Sequence, residues 1–203
     1  MKEVKDYIDS GILELYVMGC TTPEESKKVE ELLLASGEIR KEISEIQAAM
    51  ETYAQDHSVM PDPTVKPFLM AAIDYTERLK NGEQPCFPPL IHSDSKISDY
   101  TDWIIRPDMM LPDDFKDFHA KIIGHTPEVL TAIIWINERT PHETHSKEFE
   151  KFLILEGTCY INIEGSVHHL VAGNVFSIPL YKDHTVTVTS KIPCKVLLQR
   201  VAA

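Results

Sequence analysis

The chain has 203 residues, 43% hydrophobic and 26% charged, which suits a folded protein with one full core or two small ones and excludes a disordered chain. With 32 acidic against 20 basic residues the formal net charge is −12. That balance argues against direct binding of nucleic acid or anionic membranes and favours a basic protein partner. No apolar run approaches the roughly 18 residues of a membrane span. The N-terminal MKEVKDYIDSGI has no apolar signal core, so a cytoplasmic location is expected. Cys20, Cys86, Cys159 and Cys194 show no CxxC or CxxH spacing and read as inert, half-buried thiols, with Cys20 and Cys194 the candidates for sensing.

The first eighty residues read as helices. Val4, Ile8, Leu13, Leu15 and Tyr16 mark an opening helix bent near Ser10-Gly11. Thr22-Pro23-Glu24-Glu25 is a helix start, with Thr22 as N-cap, Pro23 in the first turn and Glu25 closing a capping box. That helix turns Val29, Leu32 and Leu33 inward and breaks at Ser36-Gly37. Ile39, Ile43, Ile46, Met50 and Tyr53 then recur at helical spacing as one apolar stripe. After a proline-rich connector over 57–67, an amphipathic helix is predicted from Val65 to Leu79, with Phe68, Leu69, Ala72 and Ile73 buried.

Composition shifts at 81–89, where NGEQPCFPP reads as a linker. Short β-branched and aromatic runs follow: WIIR (103–106), VLTAIIWI (129–136), FLIL (152–155), CYINI (159–163), VFSIP (175–179), HTVTVT (184–189) and CKVLLQRV (194–201). Turns about every ten residues point to an all-β sandwich or barrel. The expected organisation is α+β and multidomain: an all-α helical domain over 1–80, a linker over 81–95 and an all-β barrel over 96–203.

The stretch ERTPHETHSKEFEKFLILEG places His145 five residues before Glu150 and Gly157 seven after it. Downstream, Gly173 and Pro179 precede His184. This resembles the paired motifs of the cupin family, His-x-His-x(3–4)-Glu-x(6)-Gly and Gly-x(5)-Pro-x-Gly-x(2)-His. The resemblance implies a jelly-roll barrel holding a divalent metal inside, with His145, Glu150 and His184 as ligands. The first histidine position is occupied by Glu143, with His142 beside it. Spacing to His145 favours Glu143 as fourth ligand, because residues 143 and 145 share a strand face; a local bulge would instead turn His142 inward. A carboxylate there opens the choice to Zn, Mn, Fe or Ni. Tyr181 stands where the second motif has glycine. His57, His92, His119, His125, His168 and His169 read as ordinary packing or solvated residues.

The segment over about residues 5–56, with LELYVMG, a TPEE cap and an IRKE restart, closely resembles the helical domain of anti-sigma factors, with a weaker match over the final helix to Leu79. The positions at which many relatives hold zinc are Leu32, Ser36 and Ile39, so that zinc is absent and apolar packing replaces it. Such helices followed by a cupin resemble the ChrR-type anti-sigma factors of bacteria. That implies a transcription regulator whose helices hold a group IV sigma factor and whose cupin metal site responds to a small-molecule or oxidant signal, with a homodimer compatible. The alternative is a metal-dependent cupin enzyme, a dioxygenase or isomerase acting on a small polar molecule. In that reading Glu143 is a candidate general base, and Tyr160, Tyr181 and Gln199 are candidates to line the cavity.

Overall fold

The computed structural model describes residues 2–203, which divide after residue 60 into two compact units. The first unit is helical: α1 (Lys2–Ile8), α2 (Ile12–Val17), α3 (Pro23–Ala35) and α4 (Gly37–Asp56). Gly11 breaks α1 from α2 because it takes a left-handed φ of 77°, which a side chain would disfavour. Thr22 closes the expected capping box on α3: its hydroxyl accepts from Glu25 N, and the Glu25 carboxylate accepts from Thr22 N at 2.8 Å. Such a cap stabilises by about 1 kcal/mol. Ser36 ends α3 and caps α4 by accepting from Ile39 N.

Leu13, Val29, Ile39 and Ile43 form the core of this unit, with Leu32, Leu33 and Ile46 packed against it. Leu32 and Ile39 thus pack into this apolar core. The expected α4 stripe is buried only in its first half, for Met50 is 40% and Tyr53 66% exposed.

The second unit begins with α5 (Val65–Lys80) and continues into eight strands. These are β1 (Phe118–His125), β2 (Val129–Ile136), β3 (Glu148–Glu156), β4 (Thr158–Ile163), β5 (Ser166–Val171), β6 (Val175–Ile178), β7 (His184–Val188) and β8 (Cys194–Ala202). A five-stranded sheet ordered β1-β2-β8-β3-β6 faces a three-stranded sheet ordered β5-β4-β7, and every ladder is antiparallel. Helices therefore precede an antiparallel β architecture of jelly-roll type, as the pattern predicts. Between the sheets lie Ala132, Ile134, Ile136, Phe152, Ile154, Ile161, Val186 and Leu198, each supplied by alternate residues of its strand.

The larger sheet is covered on its outer face as well. Ile133, Trp135, Leu153, Leu155 and Leu197 pack against Ile91, Tyr100 and Met109 from the 83–117 segment. Burial on both faces explains why most of β2 and the Val196–Leu198 stretch of β8 read as continuous apolar runs.

Four expectations change. First, α5 belongs with the barrel: its Ala71 and Tyr75 join the barrel core, so the division falls near residue 60 and not at 80. Second, the buried face of α5 is Phe68, Ala71, Tyr75 and Leu79, whereas Leu69 and Ile73 are exposed. Third, the segment taken as linker is a strap: the buried Gln199 side chain accepts from Ile91 N at 2.7 Å and donates to the Pro89 carbonyl at 2.8 Å. Fourth, WIIR is no strand, for α6 (Thr101–Ile104) packs Trp103 and Ile104 on the outer face. The cysteines separate cleanly, Cys20 and Cys86 exposed, Cys159 and Cys194 buried, all four free thiols.

Gly157 turns the chain from β3 into β4 at φ 78°, and an added Cβ would stand 2.8 Å from Ser190 Oγ and 3.1 Å from Cys194 Cα. Gly157→Ala is expected to cost about 2 kcal/mol or more from backbone strain and this crowding, read as a lowered urea midpoint.

Candidate metal centre

Four elements bring the site together. Residues 139–145 run beside β7 as an irregular strand, tied by Thr140 N to the Val186 carbonyl and by a reciprocal pair of backbone hydrogen bonds between Glu143 and His184, each 3.0 Å. Directly opposed residues share a face, so Glu143 and His184 point into the barrel together. The His145 carbonyl accepts from Tyr181 N at 2.8 Å, fixing the loop that carries the imidazole. Tyr181 takes a φ of 60°, the left-handed backbone that glycine would favour at that motif position. Glu150, 2% exposed, faces inward from β3 directly opposite Arg200 of β8.

One donor atom from each of Glu143, His145, Glu150 and His184 lies within 4.8 Å of the others. Glu150 Oε2 stands 3.2 Å from His184 Nε2 and 3.3 Å from His145 Nε2, and Glu143 Oε2 stands 3.5 Å from His145 Nε2. Ligands about 2.1 Å from one ion sit roughly 3 to 3.5 Å from their neighbours, so this spacing suits a shared cation. The donor chemistry fits too. His145 Nε2 is buried with no hydrogen-bond partner despite the nearby carboxylates. His184 Nδ1 donates to the Lys182 carbonyl at 3.2 Å, which leaves the Nε2 lone pair of the neutral ring facing the cluster. This His/Glu cluster is a set of residues that could hold a metal ion.

The Glu143 and Glu150 carboxylates beside His145 raise its imidazole to about 9. Burial pushes the Glu150 carboxyl up, but the adjacent His145 and His184 imidazoles and the charge of Arg200 outweigh it and hold Glu150 well below the usual range. Burial lowers His184, but its hydrogen bond to Glu150 prevails and raises it overall.

A raised histidine stabilises the fold below its ordinary value of 6.5, and that contribution disappears as pH rises to about 9. The metal-free protein is therefore expected to lose stability through this range. A metal must displace the His145 proton, so loading should release protons and strengthen with pH. Chelator-treated and metal-loaded melting curves across the range check the first effect. Calorimetry in buffers of different ionisation enthalpy checks the second.

The structure separates the two candidates for the fourth position. His142 lies outside the cluster, its side chain 67% exposed and its Nδ1 2.7 Å from Asp183 Oδ2. Glu143 faces inward because the backbone pairs it with His184. Of the proposed cavity residues, Gln199 faces the outer strap, Tyr181 is 69% exposed, and Tyr160 meets His169 edge-on. The sequence reading missed Arg200. Its Nε donates to Glu150 Oε1 at 3.0 Å and its Nη2 to Glu143 Oε2 at 3.3 Å. It also missed Phe68, whose ring lies 4.8 Å from the Arg200 guanidinium carbon.

Residues 131–199 match the family model of the cupin domain, so the C-terminal part of the chain carries a cupin domain. Similar solved structures include KdgF from a Halomonas species, at 17% identity over 44% of this chain and 85% of that one, with a TM-score of 0.40. A predicted oxalate decarboxylase from Thermotoga maritima matches at 17% identity over 42% of this chain and 81% of its own, with a TM-score of 0.40. A conserved protein of unknown function from Streptococcus pyogenes matches at 14% identity over 61% and 98%, with a TM-score of 0.43. No curated protein matches the chain.

Proposed function

We propose that the chain is a cytoplasmic, anti-sigma-factor-like transcription regulator whose cupin domain senses through a divalent metal held by Glu143, His145, Glu150 and His184. The observation that carries this reading is the separation of the chain into an acidic helical unit and a barrel with a buried His/Glu cluster. Residues 1–60 hold 13 acidic against 6 basic residues, and Leu15, Met18, Met50 and Tyr53 are all at least 40% exposed. An acidic surface with apolar anchors suits a basic protein partner, and a group IV sigma factor has that character where it meets promoter DNA. No helix among the described residues is long and apolar enough to cross a membrane.

Mixing the full chain with the group IV sigma factors of its own genome tests the partner. A stable complex on size-exclusion chromatography, weakened by Tyr53→Lys and Met50→Lys, is expected. Failure to bind any of them overturns the regulator reading.

One observation favours the alternative, a metal-dependent dioxygenase or isomerase. The cavity beside the cluster measures about 20 Å³, room for about one water or reacting oxygen. A bound divalent ion supplies a Lewis-acidic position with exchangeable coordination. Turnover of a small polar substrate by a metal-loaded protein that binds no sigma factor would replace the first reading with this one.

A further inference from the structure

The barrel interior contains a cation that the cluster alone does not call for. Arg200 projects inward from β8 with its side chain only 21% exposed, and it meets Glu150, Glu143 and Glu148. Glu148 lies toward the rim, with its side chain 39% exposed, so water screens its charge. The two inner carboxylates are those positioned to hold the ion. A divalent ion together with Arg200 would exceed them by one positive charge, in a space otherwise walled by Phe118, Ile134, Phe152 and Leu198. A buried excess charge is costly unless a counter-ion joins it.

The same space is closed by a residue from outside the barrel. Phe68 lines the cavity, lies over the Arg200 guanidinium and packs on Phe118 with ring centroids 5.6 Å apart. Helix α5, which carries it, is held unevenly. Its C-terminal half is clamped by Arg78, which donates to Asp74 and Glu83 and to the Ile122 carbonyl. Its first turn has no side-chain cap on Thr64, and Val65 and Leu69 are exposed. The ring over Arg200 therefore sits at the less restrained end of the helix.

We propose that the barrel binds a small monocarboxylate with an apolar body, its carboxylate on Arg200 and its body in the place of the Phe68 ring. The proposal rests on the metal reading of the cluster, since the uncompensated charge arises only when a cation is present. It deepens the proposed function by giving the sensor a ligand class. Entry of the acid displaces Phe68 and shifts the first turn of α5, the element that directly follows the helical unit in the chain.

The test uses the full chain loaded with zinc, its metal content measured first. Butyrate and its neutral isostere butyramide are titrated by calorimetry and by melting temperature. Butyrate is expected to bind at least tenfold tighter than the amide, and Phe68→Ala to tighten butyrate and extend binding to hexanoate. Arg200→Gln and Arg200→Lys, titrated at saturating zinc because loss of this partner of Glu143 and Glu150 weakens metal binding about 10- to 100-fold, are expected to erase or reduce the preference for the acid. Equal binding of acid and amide, binding of neither, or an acid preference that survives Arg200→Gln overturns the inference, the last because the metal alone would then hold the acid. If Arg200→Gln does not fold, the acid–amide comparison and Phe68→Ala decide. A chain that takes up no divalent ion overturns the metal reading and the inference together, whereas stoichiometric zinc without acid preference overturns the inference alone.

Discussion

Glu150→Ala is expected to abolish metal retention and to destabilise the metal-free barrel by about 3 to 5 kcal/mol. Glu150 is the common partner of His145, His184 and Arg200, at 3.3, 3.2 and 3.0 Å. Removing it leaves three groups that are cationic or close to it facing one another in a buried space, with only Glu143 and the more exposed Glu148 to offset them. Glu150→Gln keeps the shape and one acceptor oxygen, so its stability loss should be smaller, about 1 to 3 kcal/mol. Its metal loss should nevertheless be severe, because a neutral amide is a poor ligand for a hard cation. Loss of an outer-shell partner alone weakens metal binding about 10- to 100-fold, and loss of this inner carboxylate should exceed that. Glu143→Gln, at a half-buried position, should weaken binding less. Metal content after dialysis, paired with denaturant unfolding of chelated protein, separates the two effects. Stoichiometric metal on Glu150→Gln would falsify the assignment of the centre.

What the sequence disclosed about this centre follows from locality. His145, Glu150 and Gly157 lie within one loop and strand, and His184 follows a turn whose Gly173 and Pro179 mark its position. Their spacing could therefore be read directly. Arg200 could not, because it becomes a neighbour of Glu150 only through the β3–β8 register, fifty residues away.

The two apolar sides of α5 show a different limit. Phe68, Ala71, Tyr75 and Leu79 recur at helical spacing, but so do Val65, Leu69 and Ile73. Only the barrel selects which side is buried: it takes Phe68 inward as expected but turns Leu69 and Ile73 out. WIIR has strand-like composition, yet the outer face needs Trp103 and Ile104 presented from a short helix, so tertiary packing overrides propensity. Strand β1 shows no apolar run of its own because His119, Lys121 and Gly124 interrupt its apolar residues, while its inward Ala120 and Ile122 are buried.

The same ladder that pairs Glu150 with Arg200 pairs Lys151 with Gln199, one step along and on the opposite face. There the polar groups serve structure. Gln199 is fully buried: its amide accepts from Ile91 N at 2.7 Å and donates to the Pro89 carbonyl at 2.8 Å and to Thr131 Oγ1 at 3.2 Å. Lys151 Nζ adds a bond to the Ile91 carbonyl at 3.0 Å. Together they pin a strap that has no strand partner of its own, so nothing else satisfies Ile91 N. Gln199→Leu conserves size but strands that buried donor and frees the Pro89 carbonyl, which should cost about 2 to 4 kcal/mol. The loss should be directional. Amide exchange should rise over 89–100, and the outer packing around Tyr100 and Trp103 should loosen, while metal retention is unchanged because the inner face is untouched. If Gln199→Leu instead lost its metal with the strap still protected, the two faces would not be independent, and the division of this ladder into an inner chemical side and an outer structural side would have to be abandoned.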